Sequence, residues 1–142
     1  VSGVRRTSKG GGVAALADRL ERAQSTVDRA VREEVRAELE LLVEEQFAGQ
    51  HGPNGERWTP RVPPTGGWPI LRRTGRMRAS TRITETSRGF LVTMASPAGY
   101  HQRGTSKMVA RQIFPGGEDS NWQARIDAAI RRGTARAFKR AA

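Results

Sequence analysis

Apolar residues recur along the first third of the chain at Val13, Leu16, Leu20, Ala23, Val27, Val31, Val35, Leu39, Leu42 and Phe47. Steps of three, four and occasionally five keep them on one stripe at a period near 3.6, which predicts a single amphipathic helix from 13 to about 49. No proline or glycine interrupts it before Gly49. At about 1.5 Å per residue such a helix spans roughly 50 Å, longer than a chain of this size needs, so part of it is expected to pack on another chain. Gln24-Ser25-Thr26 is the weak point, because serine and threonine favour caps over helix interiors. A kink there, or two helices folded back at Ser25, are the alternatives.

The pattern changes character after Gly49. Residues 49–69 hold ten glycines and prolines, from Gly49 to Pro69. They predict an extended loop with no regular element. Trp58 and Trp68 lie inside it, and rings that bury well over about 150 Å² each are expected to anchor the loop on a surface. A short helix is expected over 70–80, with Thr74 as its N-cap. Weak alternation in 81–86 and a β-rich run in 90–95, separated by Ser87-Arg88-Gly89, predict an antiparallel hairpin. Tyr100 to Thr105 reads as a turn and Val109–Phe114 as a third strand. A closing helix is expected over 119–139, capped by Asp119 or Ser120, with Arg136, Lys139 and Arg140 suiting the negative end of its dipole. The fold class is α+β: a long N-terminal helix, an extended Pro/Gly loop, a small antiparallel sheet and a C-terminal helix. Residues 1–12, with Gly10-Gly11-Gly12 and three bases, read as a flexible basic arm ahead of one domain covering 13–142.

Charge adds direction to this picture. The 142 residues carry a net charge of +11, divided as +3 over residues 1–12, −4 over 13–50 and +12 over 51–142. An acidic first helix and a basic body suit head-to-tail pairing of copies, or binding of the body to a polyanion. There is no cysteine, which excludes disulfides and thiolate metal sites. No run of about 18 apolar residues marks a membrane span.

Catalytic patterns are absent from the sequence. The two histidines, His51 and His101, have no His-x-x-x-His spacing, and neither a Gly-x-Ser-x-Gly elbow nor a phosphate-binding Gly-x-x-x-x-Gly-Lys loop occurs. The acids cluster on the first helix without a paired, buried setting. The expectation is a protein that works by binding, with no cofactor and no metal. Arg72, Arg73, Arg76 and Arg78 form a basic knot suited to bidentate pairing with carboxylates or phosphates.

Four segments, taken in order, resemble the virion-morphogenesis family of tailed phages, which includes the tail completion proteins of Mu-like phages. They are Gly52-Pro53-Asn54-Gly55-Glu56-Arg57-Trp58-Thr59-Pro60, Ile70–Met77, Ala98–Thr105 and Met108–Pro115. The third resembles the family's tyrosine–histidine–glutamine–glycine signature, with Tyr100 moved next to His101. In the fourth, Gln112 stands where the family has proline. The resemblance covers residues 45–135. It implies a non-enzymatic structural protein of the virion, acting late in assembly as a tail terminator or head–tail connector in the neck. It further implies a homo-oligomeric ring, six subunits being the expected number, that contacts the tail tube protein and head-connector proteins and touches genome DNA only in passing. The interface candidates are Trp58, Trp68, Arg72, Arg76, Tyr100, His101, Gln102 and Arg111, with Gly75 and Gly104 holding turns. The alternative is a basic nucleic-acid-binding protein, expected to show a steep inverse salt dependence.

Overall fold

The computed structural model describes residues 13–60, 71, 75–95, 98–116 and 120–141. Its elements in chain order are α1 (Val13–Gly49), α2 (Arg76–Ala79), β1 (Arg82–Thr86), β2 (Gly89–Thr93), α3 (Ala98–Arg103) and α4 (Ser120–Ala141). The α+β class read from the sequence is the one observed. The expected basic arm of residues 1–12 lies outside the described residues, as do Trp68, Arg72, Thr74 and Asp119.

The amphipathic period dictates α1, and it runs unbroken through 24–26, so the two-helix hairpin does not occur. Thr26 stays in the helix by donating its hydroxyl to the Arg22 carbonyl at 2.9 Å, an i−4 bond that satisfies the side chain locally. The C-terminal half of α1 supplies Val35, Leu39, Leu42, Val43 and Phe47 to one hydrophobic core, which Met77, Trp122 and Ala129 join from α2 and α4. Trp58, Ala98 and Ile113 complete it.

α4 packs antiparallel on α1. Ala129 and Ala137 are buried between the two helices, and Gly133 sits where α1 passes closest. A Cβ on Gly133 would stand 2.6 Å from the Val31 Cα and 2.8 Å from the Ala30 carbonyl oxygen, so the crossing leaves no room for a side chain. Around this seam the acids of α1 meet the arginines of α4. Glu38 accepts from Arg125 at 2.6 Å and Arg132 at 3.0 Å. Glu45 also pairs with Arg125, and Arg136 bridges Glu33 at 2.7 Å and Glu34 at 2.9 Å. These acids, expected to face a neighbour, are thus engaged inside the chain. Most of the pairs are half exposed and individually weak. Glu38, only 7 % exposed, is the most deeply buried of these acids and is held by two arginines.

β1 and β2 form the expected hairpin, pairing Arg82 with Thr93 through Thr86 with Gly89. Two of the remaining expectations are revised. Of the helix expected over 70–80, the described residues show a single turn, Arg76–Ala79, entered through Gly75 in the left-handed region at φ 71°. The segment read as a third strand pairs with neither β1 nor β2, the two strands of the sheet. Most of the backbone bonds of its 111–114 part go to side chains instead, and the Arg111 amide goes to the His101 carbonyl.

Candidate assembly interface

The segment from Arg111 to Phe114 is held by glutamines and a tryptophan rather than by a ladder. Gln102, on α3, accepts the amides of Ile113 and Phe114 on its Oε1, at 2.7 and 2.9 Å. Its Nε2 donates to the Phe114 carbonyl at 2.9 Å. Gln46 of α1 donates to the Ile113 carbonyl at 2.5 Å and accepts from the Trp122 indole at 2.8 Å. Trp58 donates its indole N–H to the Gln112 carbonyl at 2.9 Å. Ile113 is fully buried at the centre of this knot. A strand partner would be redundant, because three of the segment's carbonyls and three of its amides, counting the Arg111 amide on the His101 carbonyl, are already satisfied.

The Pro/Gly loop feeds the same knot. Gly52 donates to the Glu56 carbonyl at 2.8 Å and Trp58 to the Gln50 carbonyl at 3.0 Å, closing a tight turn. That turn delivers the Trp58 ring against Phe47, edge to face with centroids 5.6 Å apart. Arg111 ties the far side, donating Nε to the Thr59 carbonyl at 2.7 Å and its amide to the His101 carbonyl at 2.7 Å. Residues 98–103, expected to form a turn, are instead the short helix α3. It ends at Gly104, whose φ is 74° and where a Cβ would meet the Ala110 amide nitrogen at 2.8 Å. Only glycine fits there on both counts.

The sequence-predicted candidates therefore separate. Trp58, Gln102 and Arg111 bind their own chain and hold the knot. The anchoring surface for the Trp58 part of the loop belongs to the same chain, since Trp58 is only 4 % exposed. Tyr100 is 54 % exposed, and Arg76 is exposed at the start of α2. His101 is half-buried, and its Nδ1 is buried without a hydrogen-bond partner. No family profile, characterised protein or solved structure matches this chain.

Burial, and secondarily the Arg111 guanidinium, hold the His101 imidazole below the usual histidine pKa of 6.5. The unfolded chain therefore binds a proton at His101 that the folded chain rejects. The associated stability is intact above pH 6.5 and is lost as pH falls through the lowered folded value. Urea midpoints are expected to fall between pH 7.5 and 5.5, with His101→Asn flattening that dependence. An unchanged slope in the variant would show that the imidazole is freely solvated.

The surface that the sequence did not reveal is a groove between α1, α4 and the hairpin. It has a volume of about 480 Å³ and a floor of Val31, Val35, Phe90, Val92, Ile126 and Ile130, with Asp28, Arg32 and Arg88 on its rim. Nearby, α1 extends its apolar stripe past the part covered by α4. Val13, Leu16 and Leu20 are 86 %, 56 % and 62 % exposed. Among the described residues there is no cluster of three metal-binding side chains, and no helix is long and apolar enough to cross a membrane.

Proposed function

We propose that this chain is a structural protein of a tailed-phage virion, acting at tail completion or head–tail joining as a ring of identical subunits. Its role is binding, without chemistry. The observation that carries this reading is the convergence of the family-like segments. Residues 52–60, 98–105 and 108–115 are remote in sequence, yet Trp58, Gln102, Gly104 and Arg111 interlock around Ile113. A pattern built from such residues maintains a fold. The segments that carry the resemblance are thus the ones that hold this fold together, which is what a shared architecture would require.

The partners under this reading are further copies, the tail tube protein and the head-connector proteins, with DNA passing through the opening. The test is mass measurement and negative-stain imaging of the purified chain, alone and with polymerised tail tubes. Closed rings of one size, free or capping tube ends, are the expected result. A monomer in every condition overturns the proposal. Salt-sensitive retention of DNA by that monomer would favour the nucleic-acid reading that the charge of +11 permits.

A further inference from the structure

We infer that copies of this chain join head to tail, the exposed end of α1 from one copy seating in the groove between α1, α4 and the hairpin of the next. The inference rests on the ring reading above and names its contact surface.

The first argument is geometric. Val13, Leu16 and Leu20 precede Val31, Glu34 and Glu38 by 18 residues each, which is about five helical turns. They therefore lie on the face that, further along α1, meets α4: Val31 lies under Gly133, and Glu34 and Glu38 bind Arg132. A helix-packing face thus continues into a stretch where no described element covers it. Side chains at i, i+3 and i+7 are the anchors by which an amphipathic helix fills an apolar groove.

The second argument is that one chain cannot satisfy itself. Leu16 lies twelve residues, about 18 Å, from Asp28, the groove residue nearest to it along α1, on the same unbroken helix. Stripe and groove can meet only between two copies. Because they are different patches, the contact is heterologous, the kind that closes into a ring when the rotation permits.

Charge supports the same occupant. Arg19 and Glu21 flank Leu20 on opposite sides of the stripe, each about 100° round the helix from it. The groove's rim carries Arg88, together with Asp28 and Arg32, which pair with each other at 3.1 Å. Neither Arg19 nor Glu21 makes an ion pair with a described residue, and the Arg88 side chain has none either.

The absence of cysteine makes disulfide trapping clean. In Leu16→Cys/Ile130→Cys, the two thiols are too far apart within one chain for the bridge, whose Cα atoms must lie within about 7 Å. Mild oxidation is expected to give disulfide-linked oligomers from the double variant and none from either single one. Leu16→Asp/Leu20→Asp, at exposed positions, is expected to raise the dissociation constant of the assembly by about 100-fold or more, with circular dichroism and urea midpoint unchanged. Rings that persist in the aspartate variant overturn the inference and leave the ring reading standing. Cross-linking of Leu16→Cys alone overturns it in favour of symmetric pairing of α1 ends. A wild-type chain that never assembles removes the ring reading itself.

Discussion

Truncating Trp58 to alanine is expected to cost about 3–5 kcal/mol, the range for removing a large buried aromatic. The ring packs edge to face on Phe47 and its indole N–H satisfies the Gln112 carbonyl, so both contacts disappear together. Trp58→Phe separates them. It keeps an aromatic against Phe47 and strands only the carbonyl, with an expected cost of about 1–2 kcal/mol. Urea denaturation of the two variants measures the difference. Equal, small losses in both would mean that the loop is held elsewhere. Because Trp58 faces its own chain, neither substitution should weaken assembly except through unfolding. That distinguishes it from the exposed positions on α1.

Gln102→Ala is expected to cost about 2–4 kcal/mol, since it strands two amides and each unsatisfied buried group costs about 1–3 kcal/mol. The amides are those of Ile113 and Phe114, which share the Gln102 Oε1, while the Phe114 carbonyl loses its bond from Nε2 but keeps one from Gln112 at 2.9 Å. Gln102→Glu gives the sharper readout. At neutral pH its carboxylate still accepts from the two amides but presents a charge to the Phe114 carbonyl. Once protonated, the acid again offers an acceptor and a donor, as the amide does. This variant should therefore gain stability relative to wild type as the pH is lowered, the reverse of the trend set by His101. A Gln102→Glu profile parallel to the wild-type profile would refute the bonding assigned to Gln102.

The elements set by periodicity were legible in the sequence. α1, the hairpin and α4 each follow from a repeat of 3.6 or 2 with glycines and prolines between them, and the boundaries agree to within two residues. Gly75 and Gly104 were also legible as turn residues, and both take positive φ. The segment 109–114 was not, because its apolar alternation is that of a strand while its hydrogen-bond partners are side chains from remote positions. Gln46 is the signal that could have shown this. It is a polar residue lying beside Phe47 on the buried face of α1, and burying an amide demands partners that the helix itself does not provide.

The arginines of α4 present a similar case. The steps from Glu34 to Glu38 to Glu45 are four and seven residues, and those from Arg136 back to Arg132 to Arg125 are the same. This mirrored spacing specifies an antiparallel helix pair, and the structure shows those residues joined. Segment-by-segment charge sums hide it, which is why the acidic helix read as a surface awaiting a neighbour. The apolar stripe of α1 was legible, but which half of it the body would cover depends on where α4 crosses it.

Gly133 gives that uncovered half a fixed aim. At Gly133 the α4 backbone rests directly on the α1 backbone, with only the small side chains of Ala129 and Ala137 on either side of it. Val13 lies 18 residues further along α1, roughly 27 Å away. The crossing is therefore a fulcrum with a long beam on one side. One methyl group wedged beneath it would swing the tip through several times its own width. Under the proposed head-to-tail contact, a single hydrogen atom on one glycine would thus help set the angle between successive copies, and through that angle whether a chain of them curls shut or runs on.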